Sequence, residues 1–249
     1  MIIIKNNKEI DLMRSAGKIV AETLLLIEEK VRPGITTAEL DSIAEEFITK
    51  HGARPSFKGL YGFPASLCIS VNEQVVHGIP GGYVLKDGDI VSVDCGANIN
   101  GFHGDAARTF GVGNITKEAE KLINVTRESF FKGIEYAKVG NRLTDISHEI
   151  QNCVEAAGFS VVRDFVGHGI GRVVHEDPDI PNYGPPGRGP KLVEGMALAI
   201  EPMVNAGNYK VKTLSNDWTV VTSDGSLSAH YENTIVILPD GPEILTLTR

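Results

Sequence analysis

Two stretches of this chain repeat each other at separations of 106 and 107 residues, and any fold has to accommodate that first. Gly34, Glu39, Leu40 and Gly52 recur as Gly140, Asp145, Ile146 and Gly158 with identical spacing. Further on, LKDGDIVSVD at 85–94 recurs as LVEGMALAIE at 192–201, which sets Asp94 opposite Glu201 in equivalent strands. His103-Gly104-Asp105 finds a counterpart in His230-Tyr231-Glu232, although the second copy holds twenty more residues between its two acids, Trp218 among them. Helix caps and turn glycines recur everywhere, so one match alone means little. Four in the same order imply two similar halves around a pseudo-twofold axis.

Hydrophobic periodicity places the elements within each half. Apolar residues at Ile10, Met13, Ala16, Ile19, Val20, Leu24 and Ile27 follow the 3.6-residue period and predict a helix over 8–31, stopped by Pro33-Gly34. Thr36 or Thr37 caps a second helix that runs to about Lys50, with His51-Gly52 as its stop. Residues 53–88 read as strands and turns. A third helix is expected from about Thr116 to Ala137 and a fourth from about Thr144 to Ala157, with strands from there to the end. The expected fold class is therefore α/β in the α+β sense. The two halves run over about 1–113 and about 114–249, as one large domain or two small ones.

Residues 91–109, VSVDCGANINGFHGDAART, read as a β-hairpin turning at Asn100-Gly101. With a two-residue turn, 99 pairs with 102 and 94 with 107, so Asp94 and Asp105 share one face; a three-residue loop would break that parity. Two ionised carboxylates a few ångströms apart repel, so the pair needs either bulk water, as on a solvated hairpin, or a bound cation. If the halves face each other, Glu201 and Glu232 join the same place. Four convergent acids favour two divalent cations with bridging carboxylates.

Gly167-His168-Gly169-Ile170-Gly171 offers a nitrogen ligand between glycines. Alone His168 reads as a turn histidine; beside four acids it reads as a ligand. His77 in VVHGIP and His175 in VVHEDP stand at strand ends, either as donors to a substrate carbonyl or amide or as ordinary strand-end partners. His51 reads as a helix C-terminal residue and His148 as a helix-face residue. His103 and His230 read as strand neighbours of ligands with at most an indirect role.

Composition removes several function classes. At 249 residues and 42% hydrophobic, the chain can bury a substantial core. A net charge of −8 with no run of Lys or Arg gives no footprint for nucleic acid or an anionic membrane. The start, MIIIKNNKEIDLM, is too short in apolar residues for a signal-peptide core or a membrane span, so a cytoplasmic location is expected. Cys68, Cys95 and Cys153 are odd in number and lack a CxxC spacing, which suits reduced thiols and removes a zinc finger. None has a basic sequence neighbour, and there is no G-x-S-x-G elbow, so nucleophilic catalysis has no candidate.

At these residues the chain resembles the type I methionine aminopeptidases, metallopeptidases of the pita-bread fold, over nearly its whole length, which implies a single catalytic domain, 1–249. The resemblance implies metal ligands at Asp94, Asp105, His168, Glu201 and Glu232, substrate-contacting histidines at His77 and His175, and Glu201 as proton acceptor. It implies a methionine pocket built from Phe63, Cys68 and Trp218, with Phe57, Leu60 and Val174 around it; Leu60 and Val174 stand where the family commonly has aromatics. Two divalent ions per chain are implied, which the donor set cannot assign among cobalt, manganese, iron(II) and zinc. A monovalent cation is implied near Asn72, Gln74 and Ser228. The implied substrates are nascent polypeptides with N-terminal Met and a small second residue, met at the ribosome by a monomer. Prolidases and aminopeptidases P carry an added N-terminal domain, and type II enzymes a helical insert for which the Pro- and Gly-rich segment 174–195 is too short. A non-catalytic binding module of the same fold should have lost ligands, and here all five stand.

Overall fold

The computed structural model describes residues 1–247. Its helices are α1 (Asn7–Lys30), α2 (Thr37–Lys50), α3 (Lys117–Ile134) and α4 (Leu143–Ala156). The starts follow from side-chain capping: Asn6 with Glu9, Thr36 with Glu39, and the Thr116 hydroxyl on the Ala119 amide. In the second half the Asp145 carboxylate accepts from the Arg142 amide at 2.8 Å, repeating what Glu39 does for Thr36. α3 stops at Ile134, short of the expected Ala137. Past Gly133 the amides of Tyr136 and Ala137 bond three residues back, to Gly133 and Ile134, which tightens the helix into turns.

The internal repeat is visible in the backbone. An isolated bridge between Thr36 and Val84 has its equivalent in Arg142 and Lys191. The Gly34 amide donates to the Leu85 carbonyl at 2.8 Å, and the Gly140 amide to the Leu192 carbonyl at 2.9 Å. Both glycines sit at positive φ, +92° and +95°, where a side chain would be strained.

In the first half, strand Ile90–Ile99 is central, paired with Phe102–Gly111 on one side and with Arg54–Pro55 and Leu67–Val71 on the other. The hairpin turn is the two-residue kind, with Asn100 and Gly101 at φ +55° and +80°. Ile99 pairs with Phe102 and Asp94 with Ala107, as the sequence predicts. In the second half a five-stranded sheet runs Gly241–Ile244, Asn233–Leu238, Ala197–Ile200, Gly167–Gly169, Glu176–Ile180. Residues 174–195 hold that last strand and turns, with no helix. No helix among the described residues is long and apolar enough to cross a membrane.

A seam joins the halves. The Thr234 hydroxyl donates to the Asp105 carbonyl and accepts from the Asp105 amide. Ala107 and Glu232 exchange both backbone bonds, at 3.0 and 3.3 Å, and the Thr109 hydroxyl pairs with the backbone of His230. Positions 105, 107 and 109 thus face 234, 232 and 230 in antiparallel order.

Apolar faces pack on either side. Leu24, Ile27, Leu40 and Ile48 from α1 and α2 cover Leu67, Val91 and Val93, while Phe130, Ile146 and Ile150 from α3 and α4 cover Leu198, Ile200 and Ile235. α1 reaches the hairpin through glycine: a Cβ on Gly104 would lie 2.8 Å from the Gly17 nitrogen. Gly104→Ala must push backbone from backbone and should cost about 1–3 kcal/mol, the usual range for overpacking, read as a lowered urea midpoint. An unchanged midpoint would show that this helix contact does not set the hairpin's position.

Candidate metal centre

Each half delivers two carboxylates to the seam. Asp94 and Asp105 face the same side of their hairpin because Asp105 pairs with Gly96, two residues from Asp94. Glu201 follows directly on strand Ala197–Ile200, and its carbonyl accepts from Asn182 Nδ2 at 3.1 Å. Glu232 is fixed through its backbone by Ala107 and by Arg108, whose Nη1 donates to the Glu232 carbonyl at 2.5 Å. The half-buried Arg108 guanidinium also holds Asn233 Oδ1 and the Thr246 carbonyl and lies 4.4 Å from the Tyr231 ring centre. It therefore anchors the main chain of a site residue without neutralising the carboxylate.

Several atoms of this cluster lack partners. Asp94 Oδ1, Asp105 Oδ1, Glu232 Oε1 and His230 Nε2 are buried without a hydrogen bond. Such orphaned atoms are costly unless something else occupies the space between them. The distances say what would fit. His168 Nε2 is 3.5 Å from Glu201 Oε1, and His230 Nε2 is 3.7 and 3.9 Å from Glu201 Oε2 and Glu232 Oε2. These exceed a hydrogen bond of roughly 2.7–3.2 Å. They suit two donors on one cation with bonds of about 2.1 Å, which stand roughly 3–4 Å apart. Donor atoms of Asp105, His168 and Glu232 lie within 4.8 Å of one another, as do those of Glu201, His230 and Glu232. The His168 ring is already oriented: its Nδ1 lies 2.8 Å from the Gly169 carbonyl, which leaves Nε2 as the free donor atom.

Charge tells the same story. Burial pushes the Asp94 carboxyl up to about 7. Burial, reinforced by repulsion from the neighbouring acids, pushes Asp105, Glu201 and Glu232 well above the usual carboxylate range. His168 and His230 are pushed down to about 4 and about 3, chiefly by burial. The cluster thus resists both its own negative charge and protonation of its imidazoles, and divalent cations relieve the first while using the neutral nitrogens. The residues present fit a metal.

The cluster lies in a cavity of about 490 Å³. His77 and His175 line it, as do Phe63, Cys68 and Trp218, together with Phe57 and Leu60. Phe63 and Trp218 meet edge to face at 5.1 Å, and Phe57, Cys68 and Val174 pack with them into one apolar wall. Cys68 is cross-strand partner to Asp94, and burial followed by that carboxylate's repulsion raises its thiol pKa well above normal. His175 stands edge-on to His168 with ring centres 4.5 Å apart. His77, at φ +58°, meets Phe165 edge to face, and burial pushes it down to about 4. His103 is turned instead to Ser56, 2.8 Å from its hydroxyl. The residues expected near a monovalent cation lie at a turn and two strand starts that meet: the Asn72 carbonyl accepts from the Ser228 amide, while Gln74 Oε1 accepts from the Val71 amide.

Two residues carry more than their sequence context shows. His230 was expected beside a ligand, but its ring aims between two of the four acids. Tyr61, at φ +51° and 77% exposed, stacks on His175 at 5.9 Å and lines the cavity mouth. Its flanking Gly59 and Gly62 mark a tight turn and say nothing of where the ring points.

Comparison with known proteins places this arrangement. The model of metallopeptidase family M24 matches residues 11–239. A methionine aminopeptidase of Clostridium perfringens is 78% identical over 249 residues, covering 100% of both chains. The crystal structure of methionine aminopeptidase from Thermotoga maritima superposes with a TM-score of 0.98 at 49% identity, covering 100% of both chains. Prolidase from Pyrococcus furiosus shares the fold, with a TM-score of 0.82 at 24% identity, covering 99% of this chain and 66% of that one. The chain belongs to metallopeptidase family M24, and within it to the methionine aminopeptidases. It is a hydrolase, and the family's chemistry requires divalent metal.

The two kinds of titrating group make opposite contributions without metal. A carboxyl with a raised folded pKa stabilises the fold at low pH and loses that contribution as pH rises through the folded value, about 7 for Asp94. His168, lowered from 6.5 to about 4, contributes above its unfolded value and loses that as pH falls. Above about pH 6.5 only the carboxyls are still changing. The metal-free melting temperature should therefore fall from about pH 6.5 to about pH 8, and the gain on adding manganese should widen over that interval. A gain that narrowed there would contradict the assignment.

Proposed function

We propose that the chain removes N-terminal methionine from nascent proteins and peptides, preferring a small second residue. The observation that carries this reading is the shared cavity. An apolar wall of Phe63, Cys68 and Trp218 opens onto the carboxylate cluster, so a methionine side chain and its own peptide bond reach both at once. Asp94, Asp105, His168, Glu201 and Glu232 would hold two divalent ions. When bound, these supply Lewis acidity and a nucleophilic water of lowered pKa. Glu201 would act as the proton acceptor at its carboxylate. His77, half-buried, and His175, only partly shielded from solvent, are both held below the usual imidazole range and would each offer an uncharged N–H, His175 to the carbonyl oxygen as negative charge grows and His77 beside the scissile nitrogen. A free, uncharged α-amine would be a further donor to the loaded centre, which supports exopeptidase action, and Tyr61 over His175 narrows the exit for the second residue.

Manganese, iron(II), cobalt and zinc all suit one imidazole and four carboxylates. A monovalent cation at the loops of Asn72, Gln74 and Ser228 belongs to the same reading, as does action by a monomer on chains emerging from the ribosome in the cytoplasm.

Chelation should abolish hydrolysis of a Met-Ala peptide and added divalent ion should restore it, with Met-Lys and X-Pro peptides poor substrates. Full-rate release of methionine by metal-free protein would refute the proposal. Glu201→Gln, with metal content verified, should lose at least about 10²-fold in kcat, as for loss of a positioned base. His175→Ala should lose about 10²-fold in kcat, as for an oxyanion donor, whereas a change confined to KM would assign His175 to uniform binding.

A further inference from the structure

The segment Gly171–Glu176 carries His175 into the cavity, and an ion pair sealed from solvent ties it down. Lys5 Nζ lies 2.5 Å from Glu176 Oε2, and both side chains are 3% exposed. The ammonium also donates to the Ile3 carbonyl at 3.0 Å, and the second Glu176 oxygen accepts from the Arg172 amide at 2.9 Å. Lys5 is itself fixed through its backbone amide on the Gly195 carbonyl. The packing leaves no slack: a Cβ on Gly171 would lie 2.6 Å from both Glu176 Oε1 and Lys5 Cε. At the other end of the segment the His103 amide holds the Gly171 carbonyl, and the Arg172 guanidinium lies over the Phe102 ring at 4.4 Å.

A sealed ion pair adds little stability over an apolar pair of similar shape, because desolvation offsets the attraction. Direction is what this one supplies. The Glu176 carboxylate closes a ring with the Arg172 amide, and Lys5 fixes where that carboxylate must sit. His175 is the residue directly before Glu176. We propose that Lys5 and Glu176 form a positioning pair for His175, holding the turn 172–176 closed so that the imidazole stands edge-on to His168 and under Tyr61. The inference rests on the reading above that His175 contacts the substrate. It makes the segment before α1, with Lys5 outside the cavity, a determinant of turnover.

The test is a double-mutant cycle on manganese-loaded enzyme with a Met-Ala peptide. Glu176→Gln and Lys5→Met keep side-chain size and remove one charge each. Each should lower kcat about 10- to 100-fold with KM within about twofold, the scale expected for misplacing a catalytic group by about 1 Å. In a His175→Ala background neither should lower kcat further. Should Glu176→Gln not fold, Lys5→Met carries the same cycle, with metal content and circular dichroism checked against the parent. Equal losses in both backgrounds, or an unchanged kcat in both single variants, would overturn the positioning role while leaving His175's own role intact. A His175→Ala enzyme at parental kcat would overturn both together.

Discussion

Four carboxylates converge here, Asp105 and Glu232 buried and Asp94 and Glu201 half-buried, and burial together with mutual repulsion resists their charge. Two negative charges 4 Å apart at an effective dielectric near 20 repel by about 4 kcal/mol, and here four acids converge with no lysine or arginine among them. Arg108, the cation nearest in the seam, spends its donors on carbonyls and on Asn233 Oδ1. The arrangement persists because each acid is held by backbone that other bonds fix: Asp94 mid-strand, Asp105 through Thr234, Glu201 through Asn182, Glu232 through Ala107 and Arg108. The frame is rigid and the site is frustrated, which is the state that metal binding relieves.

Symmetry is how a short chain builds such a frame. Each half repeats capped helix, turn and strand, and the strands of both halves meet along one seam. One hairpin register therefore sets two acids, and its repeat sets two more. The departure from symmetry does the selecting. The twenty extra residues between Glu201 and Glu232 bring Trp218 against Phe63 and put strand Val220–Thr222 beside Gln74–Val76 of the first half. The carboxylate cluster is shared between the halves, and so is the apolar wall: Phe57, Phe63 and Cys68 come from the first half, while the insertion in the second adds Trp218.

Much of this was readable from the sequence where local rules act alone. The Asn100-Gly101 turn fixed the hairpin parity, hence the common face of Asp94 and Asp105. Apolar periodicity, with the cap at Thr36 for α2, located the helix starts to within a residue or so. The repeat offered Glu201 and Glu232 as partners, but that the halves face each other was an assumption; the Thr234 and Ala107 bonds that realise it join residues 125 or more apart and leave no local pattern. The family resemblance, and not spacing, supplied Phe63, Cys68 and Trp218. Tyr61, the inward aim of His230 and the Lys5–Glu176 pair depend on loop conformation and on contacts across the chain, where neither periodicity nor turn chemistry reaches.

The proposed centre has these side chains holding two divalent cations together. Crystals grown with manganese and measured at its absorption edge test this directly. The account predicts two anomalous peaks close enough to share a carboxylate, bounded by Asp94, Asp105, Glu201 and Glu232, with His168 Nε2 on one of them. A single peak, or peaks outside this cluster, would contradict it.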